Sequence, residues 1–292
     1  MLNKNIETFL GCDAEYSDAR IVLFGAPFDS TTSYRPGARF ASRTMRAESY
    51  GLETYSPYLD LDMEDSSVFD GGELELCFGD TEKALAAIET FTQQLLADSK
   101  LPLMIGGEHL VTLGALRAMI KKYPDLHILH FDAHTDLREE YLGTSLSHAS
   151  VMKRAWDLVG DDRIWQFGIR SGTREEFCWA DKHTHLHRFG FQGLEAALVA
   201  LRGCPVYFTL DLDVLDPSVF PGTGTPEAGG VTFDVLRQVV DRVARLHIVG
   251  ADIVELSPHY DTSGASTAVA LKVLRELLLG LERPYLQNPE IV

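Results

Sequence analysis

Six short runs of β-branched and aromatic residues punctuate this chain: Ile21–Phe24, Leu103–Ile105, Ile128–Phe131, Ile164–Phe167, Val206–Leu210 and Ile248–Val254. Each is too short for a helix and too apolar for a surface strand. Between them, Ala84–Ala97, Leu110–Ile120, Leu236–Ala244 and Ala268–Leu281 carry apolar residues at helical spacing. Asp80-Thr81 offers an N-cap before the first of these. This alternation predicts an α/β fold in three layers, with a central, mostly parallel sheet covered by helices on both faces. No linker, repeat or low-complexity block divides the chain, so residues 1–292 read as one domain, with 45% hydrophobic residues to fill its core. Asp60–Asp70 is acidic and reads as a surface loop. Pro217–Gly230 is a long turn-rich loop of the kind that carries function.

Three of the apolar runs lead straight into acidic and histidine-bearing segments. These are Gly106-Gly107-Glu108-His109, Asp132-Ala133-His134-Thr135-Asp136, and Asp211-Leu212-Asp213-Val214-Leu215-Asp216-Pro217. The position matters because open parallel sheets place their working site at the carboxyl ends of the strands. An extended backbone puts residues i, i+2 and i+4 on one face, so Asp132, His134 and Asp136 point into the same space, as do Asp211 and Asp213. Unpaired buried carboxylates cost several kcal/mol each, so a counter-cation is expected. Single acids in such turns commonly cap helices or pair with arginine, but three runs at three strand ends, with two histidines, favour metal. Carboxylate and imidazole ligation without thiolate disfavours a structural zinc cage and suits Mn²⁺; the ligand types also admit Fe²⁺, Co²⁺ or Ni²⁺. The six ligands His109, Asp132, His134, Asp136, Asp211 and Asp213 exceed the needs of one open ion, and two ions sharing carboxylates fit better. A water between two such ions loses a proton readily and becomes a nucleophile at neutral pH.

The net charge of −17 makes nucleic acid or an anionic membrane a poor partner and suits a cationic small molecule. Cys12, Cys77, Cys178 and Cys204 are far apart and read as reduced thiols. No apolar stretch approaches the ~20 residues of a spanning helix, and Met1–Glu7 lacks the apolar region of an export signal. These features predict a soluble cytoplasmic protein. His183-Thr-His-Leu-His187 alternates too, but without acidic partners it reads as a solvated edge strand. Trp156, Trp165 and Trp179 read as core or interface residues. No nucleophile elbow, P-loop or dinucleotide fingerprint is present.

The three motifs, in this order and at these separations, strongly resemble the ureohydrolase family of arginases and agmatinases, from about Ile21 to Leu281. The resemblance implies the arginase-like version of the fold. It also implies two Mn²⁺ ions, one held by His109, Asp132, Asp136 and Asp211, the other by Asp132, His134, Asp211 and Asp213. Asp132 and Asp211 would bridge. Asp216 would stabilise the turn that Pro217 shapes. Glu255, in Ala-Asp-Ile-Val-Glu-Leu-Ser-Pro, matches the residue that pairs with the substrate guanidinium. His148, in Leu-Ser-His-Ala-Ser, matches the family's proton-shuttle histidine. The stretch Gly37–Arg46 resembles a further signature, with Ala41 and Ser42 where Gly-Pro is usual; Ala149 follows His148 where Gly is frequent. A homo-oligomer, trimer or hexamer, is the family expectation.

Asp136-Leu-Arg-Glu-Glu-Tyr141 resembles bacterial agmatinases and lacks the asparagine and Ser/Thr-rich stretch with which arginases grip an amino acid. Glu139 and Glu140 would favour a terminal ammonium at the pocket mouth. Agmatine, cleaved to putrescine and urea, is therefore the expected substrate, with guanidinobutyrate, arginine, guanidine and formiminoglutamate as alternatives. In that reaction Glu255 would orient the guanidinium, Asp136 would accept a proton from the attacking water, and His148 would protonate the leaving amine. Two other classes compete: a one-ion zinc deacetylase on a related scaffold, and a non-catalytic ureohydrolase-like assembly subunit. Retention of both His109 and His134 argues against the first, and an intact ligand set argues against the second.

Overall fold

In a computed structural model, which describes residues 7–287, the predicted strands join one eight-stranded sheet. In chain order its strands are β1 (Ile21–Gly25), β2 (Val68–Glu73), β3 (Leu101–Ile105), β4 (His127–Phe131), β5 (Ile164–Ile169), β6 (His185–Arg188), β7 (Val206–Asp211) and β8 (Ile248–Val254). Their order across the sheet is β2-β1-β3-β8-β7-β4-β5-β6, and every pairing is parallel. All six predicted strands are present within a residue or two. The expectation of an alternating α/β chain around a parallel sheet therefore holds.

Among the described residues eight α-helices cover the sheet: α1 (Ala41–Ser49), α2 (Thr81–Ala97), α3 (Val111–Lys122), α4 (Val151–Val159), α5 (Arg174–His183), α6 (Leu194–Ala200), α7 (Phe233–Val243) and α8 (Ala265–Leu286). The two-residue strand period sorts the core into two halves. Leu23, Phe131, Phe208 and Leu210 face α1, α6, α7 and α8, whereas Val22, Phe24, Ile128 and Tyr207 face α2 to α5. This is the three-layer arrangement. The Asp80 side chain caps α2 by accepting from the Lys83 N–H, as the sequence suggests.

Two readings need correction. Asp60–Asp70 is not simply a surface loop: β2 begins at Val68, and Asp70 is fully buried, where Arg46 of α1 donates to it at 2.8 Å. A buried carboxylate is tolerated there because a guanidinium meets it in a forked contact. The run His183–His187 does include an edge strand, β6, but its imidazoles are half-buried and stacked rather than fully solvated. His185 stacks on Trp165 with ring centroids 3.7 Å apart, and His187 on Phe167 at 4.3 Å. The four cysteines are free, and Trp156 and Trp179 pack edge to face at 5.0 Å. Among the described residues no helix is long and apolar enough to cross a membrane. The amino-terminal run read as lacking an export signal lies, in its first six residues, outside those described.

Candidate metal centre and substrate pocket

The four middle strands of the sheet, β3-β8-β7-β4, are neighbours, and each ends in a segment that feeds one site. His109 follows β3, Glu255 follows β8, Asp211 and Asp213 lie at the end of β7, and Asp132, His134 and Asp136 follow β4. The turn after β3 needs glycine. A Cβ at Gly107 would come within 1.9 Å of the Phe28 carbonyl oxygen, and the Glu108 N–H donates to that same oxygen at 2.8 Å. The chain therefore swings His109 inward against a fixed backbone.

His109 Nδ1 is the centre of the arrangement. It lies 3.0 Å from Asp132 Oδ2 and 3.3 Å from both Asp136 Oδ2 and Asp211 Oδ2. It is buried and makes no well-directed hydrogen bond. The other ring nitrogen, Nε2, sits 2.9 Å from the Thr209 hydroxyl. With Nε2 engaged by that hydroxyl, Nδ1 faces the same point as three carboxylate oxygens. A hard divalent cation suits such a donor set. A second set adjoins it: His134 Nδ1 is 3.0 Å from Asp213 Oδ2 and 3.5 Å from Asp132 Oδ1. Asp132 thus turns one oxygen to each set, as a bridging ligand would. Asp211 turns Oδ2 to the first set and accepts the Asp213 N–H on Oδ1 at 2.8 Å.

The electrostatics point to a cation as well. Burial and the neighbouring Asp132 push the Asp136 carboxyl up to about 7. Burial, Asp213 and Asp132 push Asp211 well above the carboxylate range. Burial opposes charge on His109, yet the carboxylates of Asp132, Asp136 and Asp211 drive its imidazole well above the usual value. Protons crowd where positive charge is wanted, and a divalent ion would take their place.

Two site residues adopt left-handed backbone, Asp136 at φ 53° and Glu255 at φ 66°. Such conformations cost on the order of 1 kcal/mol or more outside glycine and persist only where surrounding contacts enforce them. At Asp136 the enforcing group is Glu176 of α5. Its Oε1 accepts from Thr135 Oγ1 at 2.7 Å and from the Leu137 N–H at 3.1 Å, bracketing Asp136 on both sides. At Glu255 the backbone N–H donates to Gly107 O at 3.0 Å, and side-chain Oε1 accepts the His109 N–H at 2.7 Å. Burial and Glu108 push the Glu255 carboxyl well above its ordinary range.

Above the ligands opens a pocket of about 270 Å³ lined by His109, His134, Asp136, Asp211, Glu255 and His148, together with Arg138, Tyr141, Glu176 and Ser33. His148 and Glu255 therefore share the cavity with the metal-ligand candidates. Burial, with His134 beside it, pulls the His148 imidazole down to about 4, so it stands neutral at neutral pH. Asp213 is buried and faces His134. Asp216 stabilises its turn, as expected: one carboxylate oxygen accepts from Ser218 N and Oγ, the other from the N–H groups of Gly229 and Gly230. These bonds hold its pKa down to about 2.

The expected role of Glu139 and Glu140 fails. Both are exposed and neither lines the pocket, and Glu139 is drawn off by Arg154 at 2.8 Å and Lys153 at 3.6 Å. Arg138 lines the cavity instead, its guanidinium 4.3 Å from the centroid of the Tyr141 ring and 3.7 Å from Glu176.

Several supporting residues escaped the sequence reading. His130 lies within ligand reach, but its nitrogens are spent. Gln166 Nε2 donates to Nδ1 at 3.0 Å, so His130 Nε2–H donates to Asp132 Oδ2 at 2.8 Å. His130 is thus placed to orient the candidate ligand Asp132. The signal was present, since His130 precedes Asp132 by two and shares its face. Arg170 donates to the carbonyls of Asp213 and Glu227, both at 2.7 Å, and so fastens the third motif to the Pro217–Gly230 loop. Nothing local to Arg170 announces that role.

A model of the arginase family matches residues 19–280. An agmatinase of Bacillus subtilis (strain 168) is 46% identical over 278 residues, covering 94% of this chain and 96% of that protein. A guanidinobutyrase of Pseudomonas aeruginosa is 34% identical, covering 91% and 87%. Among solved structures, the agmatine ureohydrolase of Thermoplasma volcanium superposes with a TM-score of 0.87 at 33% identity, covering 97% of each chain.

Proposed function

This chain belongs to the arginase family and is a metal-dependent amidinohydrolase; we propose that its substrate is agmatine, cleaved to putrescine and urea with two Mn²⁺ ions in the site. The observation that carries the reading is the pair of donor sets joined at Asp132 on the floor of a pocket that also holds Glu255 and His148. The similarity to agmatinases over nearly the whole chain supports the choice of amidine.

His109, Asp132, Asp136 and Asp211 would hold one ion, and Asp132, His134, Asp211 and Asp213 the other. Divalent ions there supply Lewis acidity and a reactive water at neutral pH. The chain's own groups do the rest. Glu255 spends Oε1 on the His109 N–H, leaving Oε2 to accept from a substrate guanidinium, which prefers a carboxylate in its plane. Holding the amidine carbon over the ligand cluster removes much of the entropic barrier. Asp136 accepts a proton from the attacking water. His148, neutral beforehand, takes up a proton and delivers it to the departing amine. We carry a homo-oligomeric, cytoplasmic enzyme as part of this reading.

A second reading rests on Arg138. A guanidinium on the cavity wall, with Glu139 drawn to Arg154 and Glu140 exposed, suits a substrate with a carboxylate at its far end, such as guanidinobutyrate. Urea release from agmatine, guanidinobutyrate, arginine and guanidine, with Mn²⁺ supplied, separates the two. We expect kcat/KM for agmatine to lead by at least about 10-fold, the scale of a single well-placed contact. A lead for guanidinobutyrate would transfer the assignment to the guanidino acid, and urea from none of them would remove it.

A further inference from the structure

We propose that Glu108 and Thr31 form a positioning relay that fixes His148 as the Nδ1–H tautomer, leaving Nε2 as the atom that exchanges the mobile proton. The inference rests on the role of His148 proposed above and adds residues to which that role assigned nothing.

Glu108 sits in the turn after β3 and is fully buried. Its side chain points away from the ligand cluster toward the loop after β1, where three donors converge on it. The Thr31 hydroxyl reaches Oε1 at 2.6 Å, while the Thr31 N–H at 2.8 Å and the Thr32 hydroxyl at 3.1 Å reach Oε2. Thr31 in turn touches His148 twice, through the His148 main-chain N–H at 3.0 Å and through Nδ1 at 3.4 Å. A hydroxyl has a single hydrogen to give. Glu108, when ionised, only accepts, and takes it. Beside ionised Glu108 the Thr31 oxygen accepts from His148, and Nδ1 carries its own hydrogen. The tautomer of an imidazole is set by the bond its other nitrogen makes. Nε2 is left with a lone pair, 3.2 Å from the Ser33 hydroxyl on the pocket wall. The same contact to the main chain fixes where the loop bearing His148 sits. Glu108 and Thr31 touch no reacting atom in this scheme; they act through His148.

The test uses Thr31→Val, which keeps the shape and removes the hydroxyl, Thr31→Ser, which keeps the hydroxyl, and Glu108→Gln. The glutamine amide can donate to Thr31, which would reverse the polarity of the relay. Each is assayed with the guanidino substrate that gives the most urea, and metal per chain is measured alongside. We expect T31V to lower kcat by on the order of 10- to 100-fold with KM within about twofold and metal content unchanged, the scale of a misdirected general acid. E108Q should follow T31V, and T31S should recover most of the loss. In the His148→Asn background T31V should cost little more, because its effect passes through the imidazole. T31V with kcat within about twofold of the parent overturns the proposal. So do equal losses in T31V and T31S, a loss confined to KM, or losses that multiply in the double variant, each of which marks a structural role. A fully active H148N would remove the catalytic role of His148 itself, a failure visible without any change at Thr31.

Discussion

Cation binding should stabilise this protein more as pH rises, because the ligands hold protons where the ions would sit. In protein stripped by a chelator, Asp136 titrates near 7 against an ordinary 3.8. A carboxyl raised in this way contributes stability while protonated, and that contribution fades between about pH 4 and pH 7. His109 and His134 are raised as well, so the stabilisation from their charge is complete below their usual value of 6.5 and is lost only as pH climbs through their higher folded values. Asp132 runs the other way; held well below its usual value by the three imidazoles against the cost of burial, it loses its contribution only in strong acid. From pH 5 to pH 8 the stripped protein thus weakens, and bound ions replace the lost protons. Each proton displaced on binding is worth about 1.4 kcal/mol per pH unit, so one proton carried across pH 5 to 7 amounts to roughly 3 kcal/mol. For a chain of this size that is a Tm difference on the order of 5 °C. Thermal melts of chelator-treated protein, with and without saturating Mn²⁺, at pH 5, 6, 7 and 8 would show the gap widening with pH. Asp136→Asn should flatten the trend by removing one titrating group. A gap that is constant, or that narrows toward pH 8, would refute the reasoning.

Gln166→Leu should weaken Mn²⁺ affinity by about 10- to 100-fold, the usual cost of losing a partner of a ligand's orienting group, since it frees His130 to rotate away from Asp132; calorimetric titration with an unchanged Kd would contradict this. Phe131→Ala should cost roughly 3–5 kcal/mol of unfolding free energy, because Phe131 packs against Phe167, Phe191 and Phe208 directly beneath the ligand run; a denaturant midpoint near that of the parent would count against it.

The middle of the sheet was readable because strands buried on both faces appear as bare apolar runs, and the candidate ligands because they follow those runs, most of them at a spacing of two. Strand β2 was hidden by its own charge. Asp70 looks like solvent-facing sequence until Arg46, twenty-four positions earlier, is found folded over it. Glu139 was misjudged for the same reason, as its partner Arg154 lies fifteen positions away. The left-handed backbone at Asp136 depends on Glu176 from another helix, and the neighbours of His148 come from a loop more than a hundred residues earlier. Local pattern reports what a segment buries; it does not report which distant group makes that burial tolerable.

Because the candidate ligands arrive from three strands, β3, β7 and β4, brought together out of sequence order, no short stretch of the chain holds the centre by itself. The first motif and the last contributor, Glu255, are separated by nearly half the polymer, yet they meet through one hydrogen bond, His109 N–H to Glu255. Tight capture of a divalent ion would thus report completed assembly: an intermediate lacking β3, β7 or β4 would let the ion go, and supplying the metal during refolding should pull the last docking step to completion.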